Sequence, residues 1–258
     1  MERYTYGHSF TAADRLKRIA DFFNPLSYNF IRENLGNPYG QVVDMGCGPG
    51  YTTDMLAQAT QAKEVFGIDI SKYFVEVARK NYPDYTFATA NVTHLNSTLK
   101  YDMIYCRFLL SHLRDIQSLF KHWSTLLNPG GYICIDELED IFTENTVFKR
   151  YLEINTALIR SQGADLFIGR KLNNFINGFQ MICDQSDTIP VKDYMAAGWF
   201  YPNTISIWET EEYVKRTVNE DEKQSISAAL LRIHEQQKGE SNITWKMKRI
   251  IVTKQTYL

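Results

Sequence analysis

The sequence has little that is typical of a membrane, secreted or nucleic-acid-binding protein. No segment approaches the roughly 18 consecutive apolar residues that a membrane-spanning helix requires. The first ten residues, MERYTYGHSF, lack the charged and then apolar pattern of a secretion signal. The 28 lysines and arginines face 30 aspartates and glutamates and form no basic block, which disfavours nucleic acid as a partner. These absences predict a cytoplasmic protein with no membrane or nucleic-acid partner.

Cysteine is also scarce, and its distribution argues against a metal site or a disulfide framework. The four cysteines lack the spacing of metal ligands: Cys47, Cys106, Cys134 and Cys183. Three of them lie in or beside apolar, strand-like runs, where a reduced thiol behaves as a small hydrophobic side chain. We predict structural thiols and no metal site.

Strand and helix patterns alternate through the first half of the chain. The predicted strands cover 42–45, 65–68, 85–88, 103–106 and 132–136. The predicted helices between them cover 52–59, 72–81 and 116–127, and the last of these should stop at Asn128-Pro129-Gly130-Gly131. This alternation predicts an α/β fold with a parallel, doubly wound sheet.

Mostly helical patterns flank this core. Residues 11–35 have helical spacing that Asn24-Pro25 should interrupt, because the residue before a proline disfavours the helical conformation. Residues 197–202 are typical of a loop that exposes bulky side chains. Later segments predict further elements: helices over 141–176, 206–218 and 220–237, and strands over 179–188 and 245–253.

We expect one domain over 1–258. It comprises an N-terminal helical lid (1–38), a cofactor-binding core (39–140) and a helical cap with the final strands (141–258).

The stretch from Val42 to Tyr51, VVDMGCGPGY, predicts a strand, a glycine turn and the start of a helix. Glycine lets the backbone approach a ligand closely, and the helix N-terminus that follows favours negative charge. A nucleotide-like cofactor is therefore the first hypothesis. Dinucleotide-binding proteins have G-x-G-x-x-G, whereas here the glycines alternate and Tyr51 occupies the third-glycine position.

Two acids refine this hypothesis. Asp44, two residues before the first glycine, would repel a diphosphate but attract a cationic amino group. Asp69 ends the second strand, 19 residues after Gly50, where a carboxylate can bind both ribose hydroxyls. Ile70 beside it could pack on an adenine face. The alternative for Asp69 is a capping role at the helix that follows Ser71.

Ordered motifs along the core closely resemble those of class I S-adenosylmethionine-dependent methyltransferases. They are Asp44-Met45-Gly46-Cys47-Gly48-Pro49-Gly50, Asp69, Ala90-Asn91-Val92, Tyr101-Asp102-Met103-Ile104-Tyr105-Cys106-Arg107-Phe108 and Leu127-Asn128-Pro129-Gly130-Gly131. The resemblance implies a seven-stranded sheet whose last strand, over 245–253, is antiparallel. It also implies S-adenosylmethionine as the cofactor.

The resemblance also implies a set of cofactor-binding residues. Asp44 and the backbone at Gly46 and Gly48 would face the methionine part, with Cys47 and Gly50 as further cofactor-binding residues of the same loop. Asp69 would hold the ribose, Ile70, Asn91 and Val92 would surround the adenine, and Cys106 and Arg107 would lie beside the methionine end. Asn91 departs from the aspartate common in this family, but its carbonyl can accept the same hydrogen bond. The alternative for Arg107 is a structural salt bridge.

Two residues are candidate general bases for methyl transfer. His112 follows the fourth strand, and its ordinary pKa near 6.5 suits proton removal; its alternative role is a local cap at the next helix. Glu137 ends the fifth strand, where loops carry the site in this architecture, although a structural role fits it as well. Residues 141–212 are rich in aromatic side chains, which indicates either an acceptor pocket for a partly apolar or aromatic molecule or simple core packing.

The sequence thus favours methyl transfer to the oxygen, nitrogen or carbon of a small molecule. The alternatives are a protein or nucleic-acid methyltransferase, a nicotinamide-dependent oxidoreductase and a non-catalytic cofactor-binding module. Cys106-Arg107-Phe108-Leu109 stands where many enzymes that methylate bases or glutamine have an Asn/Asp-Pro-Pro-aromatic signature, which argues against that branch. The acceptor and the oligomeric state do not follow from the sequence.

Overall fold

The computed structural model describes residues 10–36, 39–237 and 242–254. They contain a seven-stranded sheet in the order β3-β2-β1-β4-β5-β7-β6. The strands are β1 (Gln41–Met45), β2 (Glu64–Asp69), β3 (Thr86–Thr89), β4 (Tyr101–Arg107), β5 (Leu127–Phe142), β6 (Phe179–Lys192) and β7 (Asn242–Lys254). The first five strands pair in parallel, and β7 runs antiparallel to both β5 and β6. The predicted α/β fold, with its seven strands and antiparallel last strand, is confirmed.

Helices cover both faces and the carboxyl end of this sheet. They are α1 (Phe10–Asn34), α2 (Tyr51–Thr60), α3 (Lys72–Asn81), α4 (Ile116–Leu126), α5 (Thr146–Ser161), α6 (Asp193–Thr204), α7 (Ile207–Thr210), α8 (Glu212–Thr217) and α9 (Glu220–Gln236), with 3-10 turns over Leu110–His112 and Ile168–Asn174. Several begin at a side chain that accepts a hydrogen bond from the first turn: Ser71, Asp115, Asn145 and Asn219. No helix within the described ranges has the length and apolar character needed to cross a membrane.

Three apolar clusters hold these layers together. One packs α4, with Phe120 and Trp123 fully buried, against β1, β4 and β5. A second packs Phe30 of α1 and Leu56 of α2 against the opposite face of the sheet. The third joins α1, α5, α6, α9 and β7 over the carboxyl ends of the strands. This third cluster forms a roof above the predicted cofactor site.

Helix α1 runs unbroken through Pro25, so the predicted interruption is wrong. Buried residues on both sides of the proline hold the helix in place: Phe23 packs into the roof, and Ser27 is fully buried. Asn24 also donates a hydrogen bond to the Tyr51 carbonyl at 2.9 Å. Packing on both sides outweighs the local preference of the residue before proline.

The predicted loop over 197–202 lies inside α6 instead, with Trp199 and Phe200 buried. A Cβ on Gly198 would lie 2.6 Å from the ring of His234, so this glycine permits close packing of α6 on α9.

Several element boundaries also differ from the prediction. The single helix expected over 206–218 is two short ones, α7 and α8, and β5 is longer than predicted at both ends. The division into lid, core and cap stays a prediction, and the first nine residues of that lid lie outside the described ranges.

Candidate active site

A cavity of about 200 Å³ lies at the carboxyl ends of the parallel strands. It is located where the strand order reverses between β1 and β4, the usual ligand site of an open α/β sheet. The side that we call the loop half is lined by Gly46, Cys47, Gly48, Asp69, Ile70, Asn91 and Val92. The side that we call the lid half is lined by Leu138, Ile141, Tyr151, Leu152, Asn155, Leu166, Phe200, Asn203 and Trp245. Arg15, Arg107 and His112 also line the cavity.

The glycine loop has the backbone conformation that its spacing suggests. Gly46, Gly48 and Gly50 have φ angles of 77°, 51° and 90°, which glycine adopts without strain. Gly46 and Gly48 line the cavity, as expected of cofactor-binding residues. Gly50 does not: a Cβ there would lie 2.9 Å from Tyr82, so this glycine lets α2 pack against the segment after α3.

Asp44 lies beneath this loop and is 1% exposed. Its Oδ2 accepts hydrogen bonds from the hydroxyls of Thr52 at 2.6 Å and Thr53 at 2.8 Å. Its Oδ1 is buried and has no hydrogen-bond partner among the residues that the structure describes. Burial raises the pKa of Asp44 to about 6, although the threonine hydroxyls and the charge of Arg107 lower it. Because an orphaned buried carboxylate oxygen is costly, this oxygen is suited to a cationic donor.

Asp69 holds the glycine loop in place through hydrogen bonds to the backbone. Its Oδ2 accepts from the Gly48 backbone N–H at 2.9 Å, and its Oδ1 accepts from the Ser71 N–H at 2.7 Å. Ser71, and not Asp69, caps α3, because its hydroxyl accepts from Phe74. Asp69 also lines the cavity, where a carboxylate can accept hydrogen bonds from the hydroxyl groups of a ligand.

Asn91 lines the cavity, as expected of a cofactor-binding residue, and its side-chain oxygen accepts hydrogen bonds within the protein. That oxygen accepts from the Thr93 N–H at 2.9 Å and from the Thr93 hydroxyl at 2.8 Å. A carbonyl has two lone pairs, so the amide NH₂ is the group that remains for a ligand. Asn91 is therefore suited to donate to a ring nitrogen rather than to accept from an amino group.

The other residues predicted around the cofactor are divided between cavity and core. Ile70, Val92 and Cys47 line the cavity. The side chain of Ile70 is 42% exposed, so an apolar ligand could cover it. Cys106 is fully buried in the core beside α4 and is not part of the lining. Burial raises the pKa of its thiol well above the ordinary value.

Arg107 lines the cavity and is 7% exposed. Its guanidinium donates to the Ser27 hydroxyl at 3.0 Å and to the Asn24 side-chain oxygen at 2.7 Å. Both partners are neutral, so these contacts are not the structural salt bridge considered above. The Ser27 hydroxyl in turn donates to Asp136 at 2.5 Å, and Arg249 holds the same carboxylate at 3.2 Å. Arg107 thus belongs to a buried polar network that fixes its position at the cavity wall.

The comparisons with known proteins agree with this geometry. Residues 43–133, from β1 into β5, match a family model described as a methyltransferase domain. Residues 43–133 are thus similar to a methyltransferase domain, and the sheet order of the chain is consistent with it. This domain contains the glycine loop and all the predicted cofactor-binding residues, and the resemblance stated from the motifs is confirmed.

Relatives of this methyltransferase domain include the trans-aconitate 2-methyltransferases of Escherichia coli strains. They are 35% identical over 105 residues, which is 41% of this chain and 41% of theirs. The match thus spans well under half the length of these curated relatives. A candidate methyltransferase from Bacillus halodurans has a TM-score of 0.59 at 14% identity, covering 90% of this chain and 98% of that one. Phosphoethanolamine N-methyltransferase 2 of Haemonchus contortus has a TM-score of 0.53 at 15% identity, covering 93% and 58%. At these identities the structures share the fold.

His112 lies at the wall of the cavity, in the 3-10 turn after β4. Its environment differs from the one that a general base requires. Burial, together with the positive charge of Arg15, lowers the pKa of His112 to about 4. At neutral pH the ring is neutral and a weak proton acceptor.

Glu137 is fully buried and does not line the cavity. Its Oε1 accepts from the backbone N–H groups of Leu109 at 2.6 Å and Leu110 at 2.7 Å, which holds the turn that presents His112. Burial raises the pKa of Glu137 to about 8, although the backbone N–H bonds lower it. Because this carboxyl group does not line the cavity and instead holds the turn after β4, the geometry supports the structural alternative.

We expect Glu137→Gln to keep the fold and Glu137→Ala to weaken it. The glutamine carbonyl can still accept from Leu109 and Leu110, whereas alanine leaves two buried N–H groups without an acceptor, at a cost of about 2–3 kcal/mol. Urea unfolding of both variants measures this difference. Equal loss of stability in the two variants would contradict the structural role.

Some site residues were missed from the sequence because they lie far from the motifs. Arg15 of α1 and Trp245 of β7 both line the cavity. The one local signal for Arg15 is its position in the apolar stripe of α1, between the buried Ala12 and Ile19. Trp245 gave no signal, since its role depends on α1 and α6 packing around it.

Proposed function

We propose that this protein transfers the methyl group of S-adenosylmethionine to a small-molecule acceptor. The observation that carries the proposal is Asp44 Oδ1, a buried carboxylate oxygen beneath the glycine loop that has no partner within the described ranges. The amino group of the cofactor's methionine part would supply the missing donor, which a nicotinamide dinucleotide lacks at that place. The cavity then continues past Arg107 and Phe108 into the lid half, so donor and acceptor would meet in one space.

The lining residues fit the remaining parts of this cofactor. Arg107 would hold the methionine carboxylate, because it is a buried cation fixed near Asp44. Asp69 would bind the ribose hydroxyls, and Ile70, Val92 and the Asn91 NH₂ would contact the adenine. When bound, the sulfonium supplies a methyl group that is open to nucleophilic displacement. The protein would contribute to catalysis by aligning the acceptor with the methyl group and by excluding water.

The lid half supports an acceptor with an apolar or aromatic body. Tyr151 and Phe200 stack there at 4.3 Å between centroids, and Leu138, Ile141 and Leu152 complete an apolar wall. The names of the relatives and of the solved structures, trans-aconitate 2-methyltransferase and phosphoethanolamine N-methyltransferase among them, support a small molecule over a protein or nucleic acid. A cytoplasmic location remains a prediction.

We expect the affinity for S-adenosylmethionine to fall as the pH drops below about 6. Burial raises the pKa of Asp44 to about 6, so acidification protonates the carboxylate that would attract the amino group. The dissociation constant should rise about tenfold per pH unit below this value. Calorimetric titrations at several pH values measure the change. An affinity that stays constant from about pH 7.5 to pH 5 would contradict the assignment of Asp44.

Binding and turnover test the proposal. S-adenosylmethionine and NAD⁺ are titrated separately into the protein, and release of S-adenosylhomocysteine is then followed with trans-aconitate and a panel of small acids, amines and phenols. We expect binding of S-adenosylmethionine, none of NAD⁺, and turnover with at least one acceptor. Tight binding of NAD⁺ alone would overturn the proposal, and binding without turnover on any acceptor would favour a non-catalytic module.

A further inference from the structure

The cavity is small for a reaction between two molecules. Its volume of about 200 Å³ lies below the usual range for ligand pockets, about 300–1,000 Å³. Methyl transfer nevertheless brings a methyl donor and an acceptor together. Because the donor would occupy the loop half, an acceptor of ordinary size has to extend beyond the lid half.

A second, open cavity of about 520 Å³ adjoins the lid half. This outer groove is lined by residues 140–144, at the end of β5 and just beyond it, by one side of α5 and by Phe167. Ile141 and Leu152 line both the cavity and the outer groove. The two spaces therefore meet along apolar side chains, so a molecule of sufficient length could occupy both.

The helical period of α5 gives one side of this helix to each space. Tyr151 and Asn155, four residues apart, line the cavity. Glu153 and Ala157, also four residues apart, line the outer groove. Residues at this spacing share one side of a helix, and Leu152, which lies between the two sides, lines both spaces. One helix thus holds the cavity and the outer groove next to each other.

Apolar side chains form much of the outer groove. Ile141, Leu152, Ala157 and Phe167 are partly buried in its lining. Phe142 is 52% exposed, the highest value among the exposed large apolar side chains of the described ranges. An apolar ligand that covers this surface would bind more tightly by about fourfold for each methylene that it buries.

The charges around the outer groove are balanced. The acids of its lining are each paired with a base: Asp140 with Arg170, Glu144 with Lys149 at 2.7 Å, and Glu153 with Arg150 at 3.0 Å. Arg160 also lines the groove and lies in the last turn of α5, where a cation interacts favourably with the helix C-terminus. Such a balance favours a neutral, apolar ligand over an ionic one.

We propose that the acceptor is an elongated molecule whose reactive head lies in the lid half and whose neutral, apolar tail lies in the outer groove. This inference rests on the proposed function, because it takes the cavity as the place of methyl transfer. Ile141 and Leu152 would contact the middle of the molecule. Phe142, Ala157 and Phe167 would contact its tail, so the outer groove would select acceptors by length.

Binding of 1-alkanols to the protein loaded with S-adenosylhomocysteine tests this inference without turnover. The probes are 1-butanol, 1-hexanol, 1-octanol and 1-decanol, which share one neutral head and differ in the length of the tail. Calorimetric titration measures their affinities. We expect the affinity to rise about fourfold per methylene through the whole series, because the outer groove accepts the growing tail. An affinity that stops rising after 1-hexanol would overturn the inference.

Two variants of the outer groove locate the tail. Ala157→Trp fills the groove and should weaken 1-decanol binding about tenfold, the effect of excluding roughly two methylenes. Phe142→Ala removes an exposed contact and should weaken it about threefold. Neither residue lines the cavity, so the affinities for 1-butanol and S-adenosylhomocysteine should change less than twofold. Ile205→Ala is the control, because Ile205 is 49% exposed and lies outside both linings.

The outcomes separate this inference from the proposed function. Wild-type affinity for 1-decanol in both groove variants would overturn the inference, as would equal losses for 1-butanol and 1-decanol. Phe142→Ala decides the matter if the tryptophan disturbs α5. A wild-type dimer that becomes a monomer in Phe142→Ala would assign the outer groove to a second copy of the chain and overturn the inference as well. Failure of S-adenosylhomocysteine to bind would instead sink the proposed function.

Discussion

Asp44→Asn should lower the affinity for S-adenosylmethionine about 30- to 150-fold while leaving the ligand-free protein as stable or more stable. Asparagine retains an oxygen for the Thr52 and Thr53 hydroxyls but removes the charge beneath the glycine loop. A charge-assisted hydrogen bond in a buried site contributes about 2–3 kcal/mol. The ligand-free protein, in contrast, no longer buries a carboxylate oxygen without a partner. The variant should therefore separate binding from stability.

Calorimetry for binding and urea unfolding for stability test this expectation. Asp21→Asn serves as the control, because Asp21 is an exposed carboxylate of α1 that is paired with Lys17. Wild-type affinity in Asp44→Asn would contradict the assignment of the amino-group subsite. A large loss of stability in Asp44→Asn would instead assign Asp44 a structural role.

Asp136→Ala should destabilise the protein by about 3–5 kcal/mol. The side chain is fully buried and joins two elements: Ser27 of α1 donates to one oxygen, and Arg249 of β7 donates to the other at 3.2 Å. Removal of Asp136 leaves the buried Arg249 cation with Asp187 as its remaining acidic partner, and leaves the Ser27 hydroxyl without its acceptor. For a chain of this size the loss corresponds to roughly 10 °C in melting temperature. Scanning calorimetry of the ligand-free protein measures the shift.

The double variant Asp136→Ala/Arg249→Met separates lost attraction from uncompensated charge. It should recover part of the stability, because methionine removes the buried cation that the single variant leaves behind. Arg249 also contacts Asp187 at 2.7 Å, so full recovery is not expected. A single variant that unfolds like the wild type would show that the network contributes little.

The residues of the loop half could be predicted because the motifs that contain them are short and continuous in the sequence. Asp44, the glycine spacing and Asp69 lie on adjacent strand ends, and a parallel sheet brings such ends together. What the sequence missed was the direction of individual side chains. The side-chain oxygen of Asn91 accepts a hydrogen bond from Thr93. Gly50 does not line the cavity and packs closely against Tyr82.

The lid half could not be predicted because its residues meet only through tertiary packing. Arg15 and Trp245 lie at opposite ends of the chain and come together around Trp199 of α6. The sequence of α6 led to the wrong prediction of a loop, because a glycine is typical of loops. In the structure, Gly198 instead allows α6 to pack closely against His234 of α9. The two base candidates followed from position alone, whereas their protonation depends on burial that no local pattern reports.

A crystal structure with bound S-adenosylhomocysteine would show whether Asp44 holds the amino group of the cofactor. We expect the amino group within hydrogen-bond distance of Asp44 Oδ1, about 2.7–3.2 Å. We also expect the ribose hydroxyls on Asp69, the methionine carboxylate on Arg107 and the sulfur facing the lid half. An amino group in solvent with Asp44 still unpartnered, or a sulfur turned away from Tyr151 and Trp245, would contradict this assignment of the site.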